Sequence, residues 1–482
     1  MNQRLWSWLA ASFILLLTGC PGGGGGTGGG GSEGATQAIV YRANQTGLST
    51  FELFLSGSGT RLNPPLGSSQ TVQAFALTPD KSTVVYIADQ DTNDVFELYA
   101  VSLSNPGFST KLNPTGFAIA NGKNVASFKV LTDGSGVIYL ADQDSDGVNE
   151  LYLVRFAIPG ASTKLNDMLV SNGNVWDFDV TADSRTVVYR ADQDIDTVNE
   201  LYQRGINPST APTKLHDNLL AGRSVTSFKI LPDSSGVIYL ADEDTDQVFE
   251  IYLANFSVVG GSRVNAVFTD PGTGIFSDVV DFVISPDSSS VVYRADQDTD
   301  GVNELYRVVL TSLTNSVKLN GSLILNGDVD LHYVITADSL SVVYIADEET
   351  DGRLELYRTV FTGTVRTKLT GLLIDAGKKV YDVVVIPNNS GVIYVADQDA
   401  VGVQELYRVL FANPGSSLKL NPGMAGDVNE VAVASDSRSV FYLADQTTFG
   451  TRELYRTFFS TMNNTKLNAS LNPNGDVDAF VF

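Results

Sequence analysis

Of the chain's 482 residues only one is a cysteine, two are histidines, four are methionines and three are tryptophans. A single Cys excludes an intramolecular disulfide framework, and two His leave little material for His-based catalysis or a zinc centre. Cations are scarce as well. Lys and Arg number 31 against 55 Asp and Glu, a formal net charge of −24. Phosphate recognition needs clustered cations, so nucleic acid is not an expected partner. No stretch beyond the first twenty residues has helical periodicity. What the chain has in quantity is apolar side chains, 43%, and 44 glycines. That is enough to bury a large core, which excludes wholesale disorder.

The N-terminus is not expected to belong to the fold. Arg4 precedes an apolar run, Leu5 to Leu17, too short to span a bilayer comfortably, and Leu17-Thr18-Gly19-Cys20 follows at once. This resembles a bacterial lipoprotein signal with its lipobox. The resemblance implies a signal peptide over residues 1–19, lipidation of Cys20, and membrane attachment through that lipid. Residues 20–35 read as a lipidated Cys and a glycine-rich tether, roughly 20 Å in reach for a flexible coil. Pro21 after Cys20 resembles outer-membrane sorting, which implies the outer membrane of the cell envelope where the organism has one, and otherwise the outer face of the cytoplasmic membrane.

Residues 36–482 repeat. Val291-Val-Tyr-Arg-Ala-Asp-Gln-Asp-Thr-Asp-Gly-Val-Asn-Glu-Leu-Tyr306 recurs nine times, its first Tyr falling at Tyr41, Tyr86, Tyr139, Tyr189, Tyr239, Tyr293, Tyr344, Tyr394 and Tyr442. Each unit reads as four short strands. In the sixth they are 279–284, 291–295, 304–309 and 317–320, with a Ser-Pro-Asp-Ser turn after the first and an acidic segment after the second. The expected fold is all-β: a β-propeller of four-stranded antiparallel blades. The first unit lacks its first strand, and Val477 to Phe482 form a first strand with nothing after it. Pairing the two would close a ring of nine blades, with eight and one irregular unit as the alternative. Arg42, Arg190 and Arg294 interrupt otherwise apolar runs and are expected to be paired or stretched to a rim, without a functional role; Trp176 is expected in the core.

The net charge sits on one loop. Nine-residue windows from the Asp after Tyr-x-Ala to the Glu before Leu-Tyr hold 32 acids and two bases, so they carry −30 while the rest of the chain carries +6. Two windows have the full pattern: Asp142, Asp144, Asp146, Gly147, Glu150, and Asp296, Asp298, Asp300, Gly301, Glu304, with the carbonyls of Val148 and Val302 at position 7. Acids at positions 1, 3, 5 and 9 offer several hard oxygens about one point, the set that calcium takes. The spacing is similar to that of the calcium loops of integrin α-subunit propellers. Four further windows are candidates: Asp192, Asp194, Asp196, Glu200; Asp242, Asp244, Asp246, Glu250; Asp347, Glu349, Asp351, Glu355; and Asp89, Asp91, Asn93, Glu97. The eighth has Val401 at position 5 and the ninth keeps only Asp445 and Glu453. With no Lys nearby, the repulsion within each tip would be left for calcium to relieve.

Ser285-Pro-Asp-Ser-Ser-Ser-Val-Val-Tyr, the Asp-rich turn and Glu-Leu-Tyr resemble the repeat of TolB-like and WD-repeat-like bacterial propellers. That likeness implies the fold and leaves function open, because propellers host binding modules and enzymes alike. No catalytic constellation recurs. His216 replaces the Asn that ends Thr-Lys-Leu-Asn, and His332 lies on a first strand; both are expected to be structural. The reading that follows is a lipid-anchored, calcium-binding module that binds a protein or polymer partner on a propeller face and is not an enzyme. The alternatives are a hydrolase with its site in the central channel, for which Asp328, Asp330, His332, Tyr381 and Asp382 are the nearest candidates, and a surface adhesin or structural protein.

Overall fold

Strands form where β-branched and aromatic residues run together. Ser341–Ala346, Ser-Val-Val-Tyr-Ile-Ala, is buried along its whole length, as a strand covered on both faces must be. The computed structural model describes residues 38–482 apart from 48–49, 115–122, 207–209, 218, 267, 269–277, 364, 372 and 374–376. The expected signal, Cys20 and tether lie outside the described residues. Within them there are 36 strands in nine four-stranded antiparallel sheets and no helix. The sheets are blades in a ring, a nine-bladed β-propeller. The sixth blade consists of Val279–Ile284, Ser290–Ala295, Glu304–Val309 and Val317–Lys318, so only its outer strand is shorter than expected.

The ring closes as the chain ends require. Val477–Val481 is the inner strand of the first blade and pairs with Val40–Gly47, Val40 opposite Val481 and Arg42 opposite Ala479. Closure removes the open edge that a final sheet would otherwise present. First strands of successive blades are neighbours in space, which makes them the innermost ones.

Blades hold one another through apolar faces and turn contacts. Val343 and Ile345 of the seventh blade share a cluster with Val380, Val392 and Tyr394 of the eighth, and buried residues of this kind contribute about 1.5–3 kcal/mol each. Within each blade the second and third strands put two aromatic rings opposite each other; Tyr293 and Tyr306 stack at 5.5 Å between centroids. At the first turn Ser184, Ser234, Ser288, Ser339 and Ser437 take a left-handed φ of 57° to 64° that a non-glycine adopts at some cost. Their hydroxyls offset it by accepting an amide from the preceding blade, as Ser288 does from Asp233 at 3.0 Å. That contact explains why these positions are serine.

Nearly every inner strand carries a β-bulge after its first Val. In the fourth blade Val175 pairs with Ala191 and Asp177 with Arg190, leaving Trp176 unpaired between them. The extra residue changes the side-chain parity, so Trp176 is 52% exposed and the expected core position is corrected to a solvent-facing one.

Candidate functional site

The hairpin between the second and third strands of each blade lies beside the connection that leads into the blade's inner strand. In the third blade the Asp142 carboxylate ties the two together. It accepts the Asn124 amide from that connection and the Gly147 amide of its own turn, the latter at 3.2 Å. Asp296 does the same with Asp278 at 2.7 Å and Gly301 at 3.2 Å, and Asp347 with Asp328 at 2.6 Å and Gly352 at 3.0 Å. Asp242 binds Ser224 and Gln247, Asp89 binds Thr71 and Asp94, and Asp192 binds Asn174. The first acid of the motif is thus an anchor for backbone amides.

Position 6 has a left-handed φ in all six candidate windows: 73° at Gly147, 72° at Gly301 and 71° at Gly352. Thr197, Gln247 and Asp94 hold the same conformation at 67°, 61° and 61°. Turn geometry alone accounts for the glycines.

The last acid has a second structural role. Glu150 is buried; it accepts the Tyr152 hydroxyl at 3.0 Å and the Lys164 ammonium at 2.6 Å. Lys164 lies opposite Tyr152 in the outer-strand register, which sets it diagonally beside Glu150 on the same face. The same ammonium is 2.6 Å from Asp144, the position-3 acid. The arrangement repeats. Lys111 joins Asp91 and Glu97, Lys214 joins Asp194 and Glu200, Arg263 joins Asp244 and Glu250, Lys318 joins Asp298 and Glu304, and Lys368 joins Glu349 and Glu355. The expectation that no Lys relieves the tips is therefore corrected. The cation is the Lys of the Thr-Lys-Leu-Asn segment, far along the chain and close across two strands. Burial pulls the Lys164 ammonium down, and the hydrogen bonds and charges of Asp144 and Glu150 outweigh it, leaving it above its usual value.

Calcium needs six to eight oxygens converging at about 2.3–2.6 Å. Here the acids at positions 3 and 9 hold an ammonium or guanidinium between them, in the place that a dication would need. Among the described residues no three Asp, Glu, His or Cys side chains gather as a metal-binding group. The tips in this arrangement do not fit a calcium ion.

Position 5 is different. Asp146, Asp196, Asp246, Asp300 and Asp351 are exposed, and among the described residues no Lys or Arg forms an ion pair with any of them. In the eighth and ninth blades the same position is apolar: Val401 is 57% exposed and Phe449 80%. One face of the disc carries an acidic arc over five consecutive blades, followed by an apolar pair.

The channel has its own polar set. Arg42, Arg190 and Arg294 are ion-paired, to Asp478, Asp177 and Asp281, at 2.7–2.8 Å. Each also donates to a carbonyl at the bulge of the next blade, at 3.1 Å to Val72, Val225 and Val329. His332 Nδ1 lies 2.5 Å from Asp330 Oδ1. Burial lowers its basicity, the Asp330 bond and the charges of Asp330 and Asp382 raise it, and the net direction is upward. Asp328 instead caps the neighbouring tip, accepting the Asn303 amide at 2.7 Å. His216 is buried against the Asp217 carbonyl, and burial makes it less basic. Sequence reading missed Glu430, a mostly buried inner-strand acid raised to about 7 by burial and then by Asp478. It stands at the inner-strand position that holds Asp177, Asp281 and Asp382 in other blades, and the available signal was that it faces Leu443 where Asp177 and Asp281 face an Arg.

No protein-family model matches the chain, and neither does any curated protein. Solved structures share the fold. A dipeptidyl peptidase 4 from Porphyromonas gingivalis superposes with a TM-score of 0.59 at 10% identity, over 82% of this chain and 59% of that one. A eukaryotic initiation factor superposes with a TM-score of 0.56 at 10% identity, over 92% of this chain and 98% of that one. The chain thus spans less than two thirds of the peptidase. At such identities the likeness establishes a propeller, and a peptidase and an initiation factor sharing it leave function to the site.

Proposed function

We propose that the protein is a binding module of the cell envelope, held by a lipid on Cys20, and that its hairpin-tip face receives a cationic protein or polymer partner. The observation that supports this reading is the acidic arc of Asp146, Asp196, Asp246, Asp300 and Asp351 beside exposed Val401 and Phe449. Carboxylates without ion partners on a rigid ring steer and orient a basic ligand, and an exposed aromatic supplies an apolar anchor. The test is recovery of partners from envelope extract by the wild-type chain and by one with the five aspartates changed to Asn. Capture should fall in the variant and fall in the wild type as salt is raised. Equal, salt-independent capture would defeat the reading. Cys20→Ser should release the chain from the membrane fraction.

A channel site is the second reading, favoured by the grouping of Asp330, His332 and Asp382 on adjacent inner strands. It predicts a hydrolytic activity that His332→Ala abolishes and that the five tip substitutions leave unchanged.

A further inference from the structure

We propose that the outer-strand Lys or Arg is the resident cation of each hairpin tip, occupying the place that a divalent ion would need, and that its removal turns a fully acidic tip into a divalent-cation site. The acid spacing of the tips suits calcium, and their geometry does not. Between positions 3 and 9, where two carboxylates converge, the ammonium of Lys164 or Lys368 lies within 2.6–2.9 Å of both. A dication within a few ångströms of that ammonium would be repelled, so the two exclude each other.

The pairing is also independent of the acid motif. Blades that have lost the motif keep the cation: Lys419 pairs with Asp399 and Glu405, Lys466 with Glu453 at 2.7 Å, and Arg61 with Glu52 at 3.3 Å. Every blade therefore has a cation on its buried ninth-position Glu, and the further acids at positions 3 and 5 are additions to a tip already provided with one. The side-chain ammonium does the neutralising that sequence spacing assigns to a metal.

The experiment is thermal melting of the full chain, in EDTA, in millimolar calcium and in salt of matched ionic strength. Wild type should melt at one temperature in all three. Lys164→Met with Lys318→Met leaves two buried Glu without a cation and should melt lower in EDTA, by roughly 3–8 °C. Calcium, and not the matched salt, should restore it. Lys466→Met, in a blade without the acid set, should melt lower and gain nothing from calcium. If the double variant does not fold, Lys164→Met alone gives the same comparison. The proposal is overturned by a wild type that calcium stabilises, by a double variant that melts like wild type in EDTA, or by one that falls and is not restored.

Discussion

The Tyr333 hydroxyl donates to Asp281 Oδ1 at 2.6 Å, joining the inner strand of the seventh blade to that of the sixth. The other oxygen of Asp281 holds Arg294 at 2.7 Å, and Arg294 returns to the seventh blade through the Val329 carbonyl at 3.1 Å. Two adjacent blades are laced by one carboxylate. Arg294→Met removes the ion-pair partner of that partly buried carboxylate and should cost about 1–3 kcal/mol, with Tyr333→Phe nearer ~1 kcal/mol. A melting curve checks both, and an unshifted Arg294→Met would show that the lacing carries no stability.

Ring closure has a sharper consequence. Deleting residues 477–482 exposes the inner edge of Val40–Gly47 and strips Phe480 and Phe482 from Phe441. An unpaired edge beside exposed aromatic surface recruits other chains. The truncated chain should elute as oligomers or aggregate in size-exclusion chromatography with light scattering. A well-folded monomer would contradict the role given to the terminal strand.

Glu430 makes stability pH-dependent in a direction of its own. Its folded-state value, about 7, lies above the usual 4.5 because of burial first and the Asp478 charge second. A group raised in this way stabilises the fold when protonated. Its contribution is complete below the unfolded value and is lost as pH rises through 7. Glu430→Gln should flatten the melting profile between pH 5 and 8 and add about 1–3 kcal/mol at the alkaline end. A variant with the wild-type profile would remove Glu430 as the cause.

Phe449 is 80% exposed, so Phe449→Asp should leave the melting temperature within about 1 °C of wild type, as surface changes generally do. If the apolar pair anchors the partner, the same change should weaken capture from envelope extract. Undiminished capture would confine the interface to the acidic arc.

Much of this molecule can be read from local repetition. The Tyr ladder, the four strands per unit and the complementary chain ends lead to nine blades because each is a pattern within one unit or at the termini. The tip chemistry is less legible. Lys164 and Glu150 are 14 residues apart, and only the register of the outer strand brings them together. A motif read along the chain sees four carboxylates and no cation. Trp176 failed for a related reason: a bulge reversed the alternation that would have buried it. Glu430 and Asp382 share their inner-strand position with Asp177 and Asp281 but face Leu443 and Val395 in place of an Arg, and their burial depends on neighbouring blades that no local window contains.

The most direct measurement is equilibrium dialysis of the purified full chain against millimolar calcium with elemental analysis. With Lys or Arg as the cation of each tip, the chain should take up no stoichiometric calcium, and a variant without Lys164 and Lys318 should take it up at those two tips. Uptake by the wild-type chain approaching one ion per fully acidic tip would contradict the account.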